Sequence, residues 1–170
     1  MAQAATLPMN GLTARLALDL AGLAAGAPIA ITGAAGAVGG YAIQLAKVDG
    51  LRVIADAKPE DEDLVRDLGA DVVVPRGAGP AVAAAIRAAE PDGVHALIDT
   101  AVGDIGLLAA VRDGGQVINL GNIPGEADRG ITMRQGRVIF DGPTREAGRL
   151  VRADRAARRA AEVPLGATPG

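Results

Sequence analysis

The stretch Ile31-Thr32-Gly33-Ala34-Ala35-Gly36-Ala37-Val38-Gly39-Gly40 constrains this chain more than any other, because it places four glycines where a buried β-branched run hands over to an Ala/Leu segment. A strand that turns into a helix through small residues leaves the first helical amides free, and the helix dipole puts its positive end there. Gly36 lets a backbone approach a diphosphate, and Gly39 lets the helix lie close on the strand. Such a turn is an anion site. Its spacing reads Ala34-x-Gly36-x-x-Gly39 with Gly33 just ahead, and the surrounding strand-helix-strand pattern gives the spacing its meaning. The candidate cradle is therefore Gly33, Ala34, Ala35, Gly36, Ala37, Val38 and Gly39. Two other glycine fingerprints fail. No Gly-Lys-Ser/Thr tripeptide follows for a P-loop, and neither the Gly33–Gly36 interval nor the Tyr41–Lys47 interval suits a short-chain dehydrogenase.

The rest of the chain repeats this unit. Predicted strands lie at 28–32, 51–55, 71–74, 94–98 and 116–120, with a sixth within 131–140, and predicted helices at 37–48, 59–68, 80–89 and 104–112. Alternation of this kind predicts an α/β fold: a Rossmann-like doubly wound parallel sheet of about six strands in three layers, α/β/α. Residues 11–24 read as an apolar helix with no strand ahead of it. The expected organisation is a connector helix in 1–25, a dinucleotide-binding domain in 26–142 and an Arg-rich tail in 143–170, helical or partly disordered. Charge supports the last boundary: eleven Lys and Arg stand against sixteen Asp and Glu up to residue 140, and six against four beyond it.

Composition excludes several chemistries. The chain has no cysteine and no serine, and its single histidine is His95. A disulfide scaffold, a Cys/His zinc site, a cysteine nucleophile and a Ser-His-Asp triad are all out of reach. Tyr41 and Phe140 are the only aromatics and the net charge is −3, which argues against a nucleic-acid partner. No apolar run reaches the ~18 residues of a membrane span, and the start lacks the order of a signal peptide. A cytoplasmic protein without a membrane partner is expected. The basic tail reads as a solvated face.

Several blocks fall in an order that resembles one family. They are Leu7-Pro8-Met9-Asn10-Gly11-Leu12-Thr13-Ala14, the glycine turn with Gln44-Leu45-Ala46-Lys47, Leu68-Gly69-Ala70-Asp71, Ile98-Asp99-Thr100 and Gly114-Gly115-Gln116-Val117-Ile118. Over residues 4–140 the chain resembles the cofactor domain of a medium-chain dehydrogenase/reductase, nearest to the quinone oxidoreductase-like branch often labelled zinc-binding dehydrogenase. The resemblance implies an NAD(P)H site and hydride transfer to a quinone, enone or related carbonyl compound. It implies that Thr13 contacts the nicotinamide end, and that Thr100 to Gly103 and Leu120-Gly121-Asn122 frame the ring. It also implies a barrel-like catalytic domain ahead of the Leu7-Pro8 block, which here begins a few residues after Met1. No catalytic residue is carried over, no zinc is expected, and the chain is expected to be a fragment or a natural truncation that is inactive alone.

For the coenzyme type, the usual acidic position at the end of the second strand falls on Ala57. Asp56 lies one residue early, where strand alternation aims it towards the other face, but the strand is ending there and Asp56 could swing back, so it stays a candidate coenzyme-binding residue together with Lys58. Lys58 stands two residues beyond Asp56, within reach of a phosphate, so NADP(H) is favoured over NAD(H). Lys58 also reads as an exposed residue before a helix, Asp99 as either a turn cap or a coenzyme contact, and His95 and Tyr41 as packing residues. Competing readings are a non-catalytic dinucleotide-binding or dimerisation module, with homodimer pairing through the edge strand in 131–140, and a truncated remnant.

Overall fold

In a computed structural model the structure describes residues 2–136 apart from 102, 122, 124 and 126. The expected tail in 143–170, and residues 137–142 at the end of the expected domain, lie outside the described residues. Six strands form one parallel sheet in the order β3-β2-β1-β4-β5-β6: β1 Pro28–Thr32, β2 Arg52–Ala57, β3 Val72–Pro75, β4 Val94–Asp99, β5 Val111–Asn119 and β6 Thr132–Gln135. This is the Rossmann-like α/β arrangement the alternation predicts.

Strand alternation sorts the core into two layers. Ile29, Ile31, Val53, Ala55, Ala96 and Ile98 face one side, against α1 (Ala2–Ala21), α2 (Ala37–Val48) and Val65 of α3 (Glu62–Asp67). Ala30, Ile54, Leu97 and Val117 face the other, against α4 (Gly79–Ala89) and a 3-10 segment, Ile105–Ala110. Both faces of the inner strands are dry, which is why those strands read as continuous apolar runs rather than alternating ones.

Boundaries differ from expectation where a local hydrogen bond decides them. The predicted helix at 104–112 is the 3-10 segment: Asp104 Oδ1 accepts the Gly106 N–H at 2.7 Å while Asp104 Oδ2 accepts that of Gly79 at 3.0 Å, so one carboxylate caps two helix starts. The fifth strand begins earlier, at Val111, with an irregular register between Val94 and Ala96. Pro59 opens a short 3-10 turn, Pro59–Asp61, before α3. α1 begins at Ala2, well before residue 11, and Ala14, Ala17, Leu18 and Ala21 on it are buried in the first core layer. Gln116 of β5 donates Nε2 to Ala21 O at 2.9 Å, tying the end of that helix to the sheet.

Candidate functional site

β1 lies between β2 and β4, so the chain moves outward in one direction through β2 and β3, then crosses back to β4. In open α/β sheets the crevice beyond the carboxyl ends at such a reversal binds ligands. Four loops meet there, beginning at Gly33, Lys58, Thr100 and Leu120.

The glycine turn is built by steric exclusion. Gly33 has φ +73°, and a Cβ there would lie 2.5 Å from Thr100 Oγ1 and 2.9 Å from Ala101 N. At Gly39 a Cβ would overlap Gly33 O and stand 2.8 Å from Ala34 Cα, so only glycine lets α2 sit this close to the loop. Gly36 donates its N–H to Gly33 O at 2.9 Å and accepts that of Gly40 at 2.8 Å. No side chain caps α2, and Gly36 and Ala37 are exposed. Gly33, Ala34 and Gly39 are buried, with Ala35 and Val38 between, packed against the first core layer. The start of α2, at Gly36 and Ala37, thus lies exposed at the mouth of the crevice.

Asp56 does not turn away from this loop, as strand alternation would have it. Its Oδ1 accepts the N–H of Gly33 at 2.7 Å and of Ala34 at 3.3 Å. The cause is the left-handed backbone at Gly33, which swings its own and the next amide back over the end of β2. Asp56 is buried, and burial pushes its carboxyl above the ordinary aspartate range; the two loop amides and the Arg76 charge pull it down, and Asp99 adds to the upward push. A raised acid means the folded chain holds the proton more tightly than the unfolded one. Asp56 therefore costs stability above its raised value, and the cost disappears as the pH falls to the ordinary aspartate range.

On the other side of the crevice, Thr32 of β1 pairs with Asp99 of β4. Thr32 Oγ1 donates to Asp99 Oδ1 at 2.6 Å, and both residues are buried. Ala101 N donates to the same oxygen at 3.1 Å and Gly103 N to Oδ2 at 3.0 Å. Asp99 thus acts as a turn cap, one of the two readings left open for it. Thr100 Oγ1 donates to Thr32 O at 2.7 Å and Gly33 O at 3.2 Å. Beyond β5, Leu120 donates its N–H to Asp99 O at 3.0 Å, and Gly121 donates to Asn119 Oδ1 at 2.7 Å while its carbonyl accepts Gln135 Nε2 at 2.9 Å.

Of the sequence-predicted residues, Gly33 to Gly39, Asp56, Thr100, Gly103, Leu120 and Gly121 come together at this end of the sheet. Lys58 follows β2 with its side chain exposed, 3.9 Å from Glu60. Thr13 is half-buried on α1 and its hydroxyl is engaged on its own helix, donating to Met9 O at 2.7 Å. Sequence reasoning missed Arg76. It follows β3, donates its N–H to Ala57 O at 2.8 Å and is exposed, with no ion pair among the described residues. Its charge is felt at Asp56. A basic residue directly after the third strand is the signal that could have found it. Other motif residues are structural. Lys47 Nζ sits 2.8 Å from both Asp71 oxygens, locking the end of α2 to the start of β3. Burial works to raise the Asp71 acid, but Lys47 and the Val53 N–H outweigh it and hold it below the ordinary range. His95 lies four residues before Asp99 on β4, away from the crevice, and Tyr41 packs on the first core layer.

The fold and the open glycine turn define a Rossmann-type domain with its candidate site at the strand reversal. Residues 37–155 match the family described as zinc-binding dehydrogenase, and the chain belongs to that family, within the medium-chain dehydrogenase/reductase superfamily. It is 36% identical over 161 residues to the spectinabilin polyketide synthase system protein NorB of Streptomyces orinoci, covering 87% of this chain and 7% of that protein. Among solved structures it is similar to the CurK enoyl reductase, with TM-score 0.67 and 26% identity, covering 81% of this chain and 43% of that one. It is also similar to a mycobacterial protein solved with NADPH, with TM-score 0.65 and 26% identity, covering 74% and 43%. The chain thus spans less than half the length of these relatives. Despite the family's description, a chain with no cysteine and one histidine does not supply the usual zinc ligands, and no group of three or more His, Asp or Glu that could hold a metal is present among the described residues. No helix among the described residues is long and apolar enough to cross a membrane.

Proposed function

We propose that this chain is the NADP(H)-binding half of an oxidoreductase of the quinone or enone reductase type. The observation that carries the reading is the uncapped, exposed start of α2 at Gly36 and Ala37, held open by buried Gly33 and Gly39. The amides of Ala37 and Val38 would grip the diphosphate. The coenzyme, when bound, supplies or accepts the hydride. The protein's part is to hold it: adenosine over the β2 and β3 ends, nicotinamide over the loops at Thr100, Gly103, Leu120 and Gly121, and Thr13 at the nicotinamide end. Hydride transfer also needs the ring pressed against substrate in a water-poor pocket, so the isolated chain is expected to bind coenzyme with little turnover.

Two exposed cations, Lys58 and Arg76, flank the end of β2, and Asp56 Oδ1 is already spent on two amides. That charge distribution supports a phosphate on the adenosine ribose, as does the similar mycobacterial protein solved with NADPH. The same proposal holds the protein to be cytoplasmic and free of zinc, and to dimerise through β6, whose outer edge has no neighbouring strand among the described residues. Fluorescence titration tests it. NADPH is expected to bind at least about tenfold more tightly than NADH, a difference of ~1.4 kcal/mol, and the Lys58→Ala/Arg76→Ala double variant is expected to erase the difference. Absence of saturable binding of either nucleotide at high micromolar concentration overturns the reading.

A further inference from the structure

The crevice has two walls, and one side-chain pair spans its floor. Thr32 closes β1 just ahead of the glycine turn, and Asp99 closes β4 just ahead of the next loop. Their 2.6 Å hydrogen bond is buried. Asp99 then uses its remaining acceptor positions on the loop itself. Oδ1 takes the Ala101 N–H and Oδ2 the Gly103 N–H. The Gly103 backbone lies on the carboxylate so closely that a Cβ there would stand 2.8 Å from Oδ2. The main chain of Asp99 also holds the turn after β5, through its carbonyl and the Leu120 N–H.

The carboxylate therefore fixes the β4 loop and is itself oriented by a hydroxyl from the strand that leads into the glycine turn, while the main chain of the same residue holds part of the β5 loop. Asp56 braces the opposite wall, through Gly33 and Ala34. A dinucleotide laid across a strand reversal rests one half on each wall. We infer that Asp99, oriented by Thr32, is the positioning residue for the nicotinamide half of the coenzyme, acting through the amides of Ala101 and Gly103. This rests on the dinucleotide reading above.

The chemistry of the carboxylate supplies a selective test. Asp99 accepts on both oxygens. An asparagine in its place has one acceptor and one donor, so in either orientation its NH2 faces a backbone N–H, at Ala101 or at Gly103, while the side-chain volume is unchanged. The expected outcome for Asp99→Asn is a loss of about tenfold or more in affinity for NADPH, with affinity for 2′,5′-ADP, which lacks the nicotinamide half, held within about twofold. Thr32→Val, which removes the orienting hydroxyl, should move the same way by a smaller factor, and Thr32→Ser should restore wild-type behaviour. Calorimetric titration reads both ligands on each variant, with NADH and ADP in parallel. Equal weakening of coenzyme and fragment, or no weakening of either, overturns the inference by reducing Asp99 to a general stabiliser or a bystander. Should Asp99→Asn not fold, the Thr32 pair decides by the same split. Wild-type protein that binds neither coenzyme nor fragment overturns the dinucleotide reading itself, and the inference with it.

Discussion

Gly39→Val is expected to abolish saturable coenzyme binding. A Cβ at this position would overlap Gly33 O and lie 2.8 Å from Ala34 Cα and 2.9 Å from Gly33 C. Every one of those atoms is backbone, so no rotamer change relieves the contact. Either α2 lifts from the end of β1 or the turn moves, and each displaces the amides of Gly36, Ala37 and Val38. Forcing extra carbon into a packed site costs about 1–3 kcal/mol in stability, and the branched side chain should fall at the upper end. Gly39→Ala separates the causes. Inside a helix, alanine is favoured over glycine by about 1 kcal/mol, so a lower melting temperature together with weaker binding can only be steric. Unchanged NADPH affinity in the valine variant would mean that the turn is not the binding element.

Removal of residues 1–24 is expected to destroy cooperative folding. Sequence periodicity reads this part as a connector, yet Ala14, Leu16, Ala17, Leu18 and Ala21 are buried on it, and Leu20 and Leu23 pack on the same layer. Burying a leucine contributes roughly 1.5–3 kcal/mol. Two buried leucines, three alanines and the two flanking leucines together approach the 5–15 kcal/mol, roughly, of net stability in a whole domain. The deletion would also strip Gln116 Nε2 of its acceptor at Ala21, beside an Oε1 that already has no partner. The truncated protein should show a broad, non-cooperative melt and bind a hydrophobic dye. A sharp transition within a few degrees of the full chain would establish that α1 is a detachable connector.

The parts of the fold that were legible in sequence are those fixed by short-range patterns. β1 and α2 agree with their expected bounds because an apolar run, a glycine turn and a helical segment follow each other without interruption. β4 lies within one residue of its expected bounds, and the parallel α/β arrangement follows from the alternation of strands and helices, whereas the order of the strands in the sheet was not read from the sequence. What sequence did not disclose depends on where the backbone turns in three dimensions. Asp56 faces the glycine turn because Gly33 adopts a positive φ, and strand alternation carries no information past the point where the neighbouring strand ends. The 3-10 segment 105–110 starts on Asp104, whose carboxylate is shared with the amide of Gly79, 25 residues earlier, a tertiary contact that the local sequence does not show. Arg76 and Lys58 become neighbours of one site only once Ala57 is in register with Pro75. The start of α1 was hidden by Pro8 and Gly11, poor helix formers that make the periodic signal begin later than the helix.

In the proposed function the amides at the start of α2 hold the diphosphate bridge of a bound dinucleotide. Backbone amide resonances followed by NMR during an NADPH titration test it most directly. Gly36, Ala37 and Val38 are expected to shift furthest, with Thr100, Gly103 and Gly121 following on the same saturation curve. Saturable binding that leaves those three helix-start amides unmoved would contradict it.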